Sequence, residues 1–171
     1  MSRAFVRESD FPQQPELPPL VSPLPPGAKN YLTPGGAERL RQDLARLLET
    51  GRPRLAAAPA DDVDAKRELQ ILDQKIRYLQ ESLRTAEITP TAPGPTDVVR
   101  FGTSVTTRES NGLETRYRIV GVDETDLDRN WVSWLSPIAR ALMNAKVGDR
   151  VVFKAPRGVK ELEILAVEYE A

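Results

Sequence analysis

Histidine and cysteine are both absent from the 171 residues, so the side chains that most often do chemistry near neutral pH are missing. Their absence excludes histidine-based triads, histidine metal ligands, disulfides, thiolate metal sites and cysteine nucleophiles. Only Asp, Glu, Lys, Ser, Thr and Tyr remain for chemistry. The composition therefore favours a binding or regulatory protein over an enzyme.

Three carboxylates lie close together in one predicted turn: Asp61, Asp62 and Asp64. A helix is predicted to open at this turn. Asp is a preferred N-cap residue, and a negative charge stabilises a helix N-terminus by about 0.3–1 kcal/mol. On the local sequence alone, helix capping is therefore sufficient to explain Asp61 and Asp62.

A second stretch with polar chemistry is Ser136-Pro137. A Ser cap followed by Pro at the first helical position predicts a short helix over 138–144. Just before it, Trp131 and Trp134 lie on one face of a predicted short strand. They belong either to the core or to an interface, and the core is the simpler expectation.

Charge is abundant but balanced, with 24 basic and 25 acidic residues and a net charge of −1. The chain thus has no global field that would attract nucleic acid or an anionic membrane. No run approaches the ~20 apolar residues that a membrane span needs, and the N-terminus lacks the apolar core of a signal peptide. We expect a cytoplasmic protein with no membrane partner.

Proline separates the first part of the chain from the rest, since eight of the 15 prolines lie in residues 12–34. Such composition favours polyproline II and removes the N–H donors that strands need. Residues 1–32 are therefore predicted to be a Pro-rich disordered tail. The tail is either a plain leader or a docking segment.

Residues 33–88 are predicted to form an arm of two helices. Thr33-Pro34 is a typical helix start. Gly51 and Pro53 are predicted to bend the first helix. Apolar residues in both helices follow the 3-4-3 spacing of a coiled-coil seam: Ala37, Leu40, Leu44 and Leu47 in the first, and Leu69, Leu72, Ile76, Leu79, Leu83 and Ala86 in the second. Because the connection is short, the helices must be antiparallel.

After a linker over 89–97, the hydrophobic pattern changes to the two-residue period of strands. Asn111-Gly112 between two alternating stretches predicts a tight hairpin. A polar, acidic loop follows over 123–130. With the short helix, four or five antiparallel strands over 98–171 make a small α+β domain.

Six stretches of the chain resemble the Gre family of transcript-cleavage factors. The most specific are SPIARAL (136–142) with KVGD (146–149), and ELEILAVEY (161–169). YRIVG (117–121) fits the same domain, and LTPGG (32–36) and KIRYL (75–79) resemble parts of the family's arm. The resemblance covers about residues 31–171. It implies a coiled-coil hairpin followed by an FKBP-like domain.

The resemblance also implies a partner and a role. In the Gre family the C-terminal domain docks on the rim of the RNA polymerase secondary channel, and the arm enters that channel. Acidic tip residues help to hold a second Mg²⁺ at the polymerase active site, where it activates the water that cuts backtracked RNA. Any cleavage is then chemistry of the polymerase, and the factor holds no stable cofactor.

Carried onto this sequence, the resemblance names two sets of candidate residues. The tip set would assist cleavage and consists of Asp61, Asp62 and Asp64, with Asp61 and Asp62 as the Mg²⁺ ligands. The polymerase-docking set consists of Ser136, Pro137, Ile138 and Arg140. We expect the factor to act as a monomer and to meet nucleic acid only within the elongation complex.

The tip and the length of the arm differ from the family pattern. The family tip is an Asp, two residues, Glu, then Asn and Ala, whereas residues 57–64 read AAPADDVD. The arm is also about a dozen residues shorter, which reduces its reach by roughly 9 Å. These differences favour a non-cleaving channel regulator that resembles the regulator of nucleoside diphosphate kinase. An FKBP-type prolyl isomerase is a remote alternative, because fold does not confer function.

Overall fold

The computed structural model describes residues 17–91 and 93–170, so predictions for residues 1–16 lie outside the described residues. The protein combines helices with a sheet. Its elements are β1 (Asn30–Leu32), α1 (Pro34–Arg46), a π turn (Leu47–Gly51), α2 (Arg52–Ala56), α3 (Val63–Thr85), β2 (Ala86–Ile88), β3 (Gly94–Pro95), β4 (Thr103–Glu109), β5 (Glu114–Val120), a 3₁₀ turn (Val122–Glu124), β6 (Trp131–Ser133), α4 (Pro137–Leu142), β7 (Arg150–Ala155) and β8 (Gly158–Tyr169).

Helix α1 begins where the sequence predicts. Thr33 is its N-cap, and the Thr33 hydroxyl accepts a hydrogen bond from the N–H of Gly36 at 3.0 Å. Pro34 occupies the first helical position, where a missing N–H leaves no intrahelical bond unmade. Two local residue choices therefore fix the start of the helix.

The first helical segment contains a wide turn before Pro53, where the sequence predicted a bend. In the π turn Leu47–Gly51, the N–H of Arg52 donates to the carbonyl of Leu47. A proline inside an α-helix clashes with the carbonyl four residues earlier, and the wider turn relieves that conflict. Helix α2 then continues to Ala56.

Helix α3 packs against the first helical segment and runs in the opposite direction. At one end Leu40 shares a buried cluster with Leu79. Further along, a Cβ built on Gly51 would lie 2.9 Å from Cδ1 of Leu72, so a glycine permits this close approach. The antiparallel helical hairpin is present, while coiled-coil supercoiling of its seam stays a prediction.

Strand β1 corrects the predicted extent of the tail. The sequence predicts that the tail includes residues 30–32, but these residues pair in parallel with β2, with Asn30 opposite Ala86. Leu32 is fully buried among residues of the helical hairpin. The described residues before β1 also make contacts, since the Gln74 side chain donates to the carbonyl of Leu17 at 2.8 Å. Strand pairing, burial of Leu32 and polar contacts with α3 thus hold residues that composition alone assigns to a tail.

The second unit is a six-stranded sheet in the order β3-β8-β4-β5-β6, with β7 also paired to β8. Asn111-Gly112 lies at the β4–β5 turn as predicted, and Gly112 has a φ of +86° that favours glycine. Two predictions need correction. The β5–β6 pair is parallel, and β3 lies inside the predicted linker over 89–97.

The sheet domain has its own core, formed by one face of the sheet and α4. Its buried residues are Val99, Val105, Ile119, Ala139, Leu142, Leu162, Ile164 and Val167. A separate cluster of Leu32, Ala37, Leu40 and Leu79 holds the base of the helical hairpin. Within the described ranges, no helix is both long and apolar enough to cross a bilayer.

Candidate functional site

The turn between α2 and α3 presents the three predicted tip carboxylates to solvent. The Asp62 side chain accepts a hydrogen bond from the N–H of Ala65 at 2.9 Å, so Asp62 is the N-cap of α3. Asp61 and Asp64 are exposed beside it. Over residues 17–91 and 93–170, no group of three or more acidic side chains is placed to hold a metal ion. Capping by Asp62 is therefore confirmed, and the Mg²⁺ role stays a prediction.

The second predicted site lies at the start of α4. The Ser136 hydroxyl accepts from the N–H of Ala139 at 3.3 Å, and Pro137 is the first helical residue, as predicted. Pro137 and Arg140 are exposed, whereas Ile138 is half-buried against the sheet core. The short helix is thus anchored by one side and offers the other to solvent.

The two predicted sites lie in different units, and a third group of residues joins those units. Glu124, in the 3₁₀ turn after β5, has a side chain that is 0% exposed. It accepts hydrogen bonds from the N–H of Thr33 at 2.9 Å and from the N–H of Gly121 at 3.0 Å. It also accepts from the Thr33 hydroxyl. One carboxylate therefore binds the start of α1 and the end of β5 together.

The neighbouring Asp123 makes a second connection, this time to α3. It accepts from the Ser82 hydroxyl at 2.5 Å and from the Tyr78 hydroxyl. The pKa of Tyr78 is raised to about 12, mainly by burial and then by its hydrogen bond to Asp123 and the charge of Asp123. The Tyr78 phenol is therefore a firm donor at neutral pH.

Aromatic residues complete the junction between the units. The ring of Tyr31 lies 5.2 Å from that of Trp134 and 5.5 Å from that of Phe101, measured between centroids. The guanidinium of Arg39 lies over Trp131 at 4.9 Å. Trp134 packs against the sheet core, as predicted, while Trp131 is half-buried beneath arginines.

Sequence reasoning missed Asp123 and Glu124, because it assigned both to a polar acidic loop. Glu124 bonds to Thr33, which precedes it by 91 residues. No local pattern encodes a partner at that separation. The glycine at position 36, inside α1, is an indirect signal in the sequence that another group approaches the helix closely. In the structure that group is Glu124, because a Cβ on Gly36 would lie 1.8 Å from its Oε1.

Comparison with known proteins identifies the family. Residues 94–169, which include the junction turn, α4 and the last hairpin, match the family described as transcription elongation factor, GreA/GreB, C-terminal. GreB of Neisseria meningitidis is 38% identical over 154 residues, which covers 82% of this chain and 94% of that relative. The chain belongs to the GreA/GreB family. GreA of Alkalilimnicola ehrlichii is also similar, with 39% identity over 156 residues that cover 83% of this chain and 99% of that relative.

Solved structures similar to this GreA/GreB family member include GreA factor homolog 1 of Thermus thermophilus. It has 25% identity and a TM-score of 0.39, with coverage of 82% of this chain and 99% of that one. A GreA/GreB factor from Nitrosomonas europaea has 24% identity and a TM-score of 0.40, with coverage of 82% and 100%. Both TM-scores are below 0.5, so the family assignment depends on the sequence matches. The family assignment confirms the predicted resemblance to Gre factors.

Proposed function

We propose that this protein binds RNA polymerase at its secondary channel and regulates elongation of transcription. The observation that carries the proposal is the match to relatives named as transcription elongation factors, which spans both the helical hairpin and the sheet domain. In this proposal the hairpin is a coiled-coil arm that enters the channel, and the sheet domain is an FKBP-like docking unit. The protein acts as a cytoplasmic monomer, and any RNA cleavage is chemistry of the polymerase.

The docking surface in this proposal is the exposed side of α4 and the loop before it. The proposed docking residues are Ser136, Pro137, Ile138 and Arg140, of which Pro137 and Arg140 are exposed. Pro137 and Arg140 offer an apolar ring and a cation to a partner, while Ile138 ties the helix to the core. Because the short helix is held on a sheet, its backbone needs little ordering on binding, and the side chain of Arg140 bears most of the ordering cost.

For the arm tip, two roles remain as candidates. In the first, Asp61 and Asp62, assisted by Asp64, present Mg²⁺ to the polymerase and stimulate cleavage of backtracked RNA. In the second, the protein occupies the channel without stimulating cleavage. The cap hydrogen bond from Ala65 engages only Oδ1 of Asp62 and is compatible with both roles. The tip sequence AAPADDVD (57–64), which lacks the family's Glu-Asn pair, favours the second role.

A titration with RNA polymerase tests the proposed docking. Ser136→Ala combined with Pro137→Ala should weaken binding at least several-fold while the sheet domain remains folded. Loss of the cap lowers stability by about 1 kcal/mol, which does not unfold the domain. Thermal melts by circular dichroism should show that small shift only.

The matched control for docking combines Ser110→Ala with Pro156→Ala. These exposed residues lie in turns of the same domain, away from α4. The control should bind polymerase like the unaltered protein. Equal affinity of the α4 variant and the control would reject the docking surface, and no binding by the unaltered protein would reject the proposed function.

A further inference from the structure

We propose that Glu124 is a positioning residue that sets the direction of the helical arm relative to the sheet domain. Its side chain is 0% exposed, yet it lies in a loop that the hydrophobic pattern leaves unassigned. It accepts from two backbone N–H groups that belong to different units, Thr33 at the start of α1 and Gly121 at the end of β5. Since one oxygen atom, Oε2, receives both bonds, the two units are held at one point.

The contact is too close for ordinary side chains on either side of it. A Cβ on Gly36 would lie 1.8 Å from Oε1 of Glu124, and a Cβ on Gly121 would lie 2.2 Å from the carbonyl oxygen of Tyr31. Neither glycine has a positive φ, so both are needed for proximity and not for backbone conformation. Gly36 therefore makes room for the carboxylate, and Gly121 makes room for the backbone of Tyr31.

A cation from the arm pairs with the negative charge of Glu124. Nη2 of Arg39, six residues after Thr33 in α1, lies 3.5 Å from Oε1. The same guanidinium lies over the ring of Trp131 in β6, at 4.9 Å. A buried carboxylate is tolerable only when it is hydrogen-bonded and paired, and here the donors and the cation come largely from the arm.

Two points of contact are needed to fix the direction of the arm, and Asp123 provides the second. A single contact would leave the arm free to swing about it. Asp123 holds α3 through Ser82 and Tyr78. Adjacent residues of one 3₁₀ turn thus hold both helices of the hairpin, and the orientation of the arm follows from the orientation of that turn.

The consequence for transcription rests on the proposed function. If α4 docks on the polymerase, the junction decides where the arm tip lies once docking is complete. Glu124 then acts through α1, without contact with RNA, metal or polymerase. Loss of Glu124 should leave polymerase affinity nearly unchanged and reduce the effect of the bound protein on elongation.

The experiment measures the arm directly, in the protein alone. Because the chain has no cysteine, Ala60→Cys at the exposed arm tip and Leu113→Cys in the exposed β4–β5 turn can each carry a spin label. Pulsed electron resonance gives the distance distribution between them. We expect a single narrow distance in the labelled protein and loss of that narrow distance in Glu124→Ala.

Two further variants separate positioning from general stability. Glu124→Gln keeps one oxygen for the N–H groups of Thr33 and Gly121, so it should restore the narrow distance. Gly36→Ala should lose that distance although Ala favours helix α1 more than Gly does. The matched control is Asp128→Ala, an exposed carboxylate in the same loop, which should change nothing.

A folded Glu124→Ala with the same narrow distance as the unaltered protein would overturn the proposal, as would an equal broadening by Asp128→Ala. If Glu124→Ala does not fold, Gly36→Ala decides: an unchanged distance rejects the proposal, and a broadened one supports it. These results do not depend on RNA polymerase. A failure of the proposed function would appear instead as absent polymerase binding by the unaltered protein.

Discussion

Tyr78 shows how one hydrogen bond across the junction depends on a proton. Its pKa is raised from 10.0 to about 12, mainly by burial and then by Asp123. The folded protein therefore holds the phenol proton more tightly than the unfolded chain. The resulting stability is complete below pH 10, the value for an unfolded chain, and is lost as the pH rises through about 12.

Replacement of Asp123 by Asn should bring the pKa of Tyr78 down toward 10.0, because it removes a charge that opposes ionisation of the phenol. The measurement is the tyrosinate absorbance titration of each protein minus that of its Tyr78→Phe counterpart, which isolates one of the four tyrosines. Tyr78→Phe itself should lower the free energy of unfolding by about 1–2 kcal/mol at neutral pH. Identical titrations with Asp and Asn at position 123 would contradict this account.

Elements with local signals are those that the sequence predicts well. Thr33-Pro34, Ser136-Pro137 and Asn111-Gly112 each contain the residue that caps or turns the chain, and the structure has the expected element at all three. Strand β1 and the parallel β5–β6 pair were not predicted. Their formation depends on a partner strand, and the hydrophobic pattern of a short strand does not determine which strand it pairs with.

Helix α3 offers a matched pair of residues for a test of the hairpin. Ile76 is 6% exposed and Ile71 is 48% exposed in the same helix. Ile76→Asp should lower the free energy of unfolding of the hairpin by about 3–5 kcal/mol, because it buries an unpaired charge. Ile71→Asp should change it by less than about 0.5 kcal/mol.

Far-UV circular dichroism during thermal melting measures both Ile variants, since the hairpin holds most of the helix. The sheet domain has a separate core, so β-sheet signal should survive in Ile76→Asp after helical signal is lost. A melt of Ile76→Asp that matches that of Ile71→Asp would show that the predicted seam does not hold the hairpin.

At the scale of the whole molecule, the sequence predicts the helical hairpin and the sheet domain. It does not predict how the two are arranged relative to each other. Each has an apolar cluster that its own periodicity reveals. The contacts between them depend on Glu124, Asp123 and Tyr31, which meet partners in distant parts of the sequence. The described part of the Pro-rich segment is a third part of this arrangement. It lies along α3, beside a cavity of about 780 Å³.

In the proposed function, the geometry of the whole molecule also decides what the arm tip can do, since the distance from α4 to the tip would have to match the depth of the polymerase channel. Asp61→Asn combined with Asp62→Asn removes the proposed Mg²⁺ ligands. Asn is also a good N-cap, so α3 should start at the same residue with little change in stability. If the carboxylates present Mg²⁺, this variant should lose stimulated cleavage of RNA in backtracked elongation complexes and keep polymerase binding.

The control for the tip is Glu68→Gln, which removes an exposed carboxylate from α3 outside the turn. Equal cleavage by the unaltered protein and the Asn double variant would show that the tip carboxylates are caps only. We expect little cleavage by the unaltered protein, because the sequence predicts an arm shorter than the family pattern and a tip without the family's Glu-Asn pair. Slowed elongation without cleavage, lost when Ile76→Asp disrupts the arm, would then identify a non-cleaving regulator. Strong cleavage by the unaltered protein, abolished in the double variant, would instead require the arm to reach the active site despite its length.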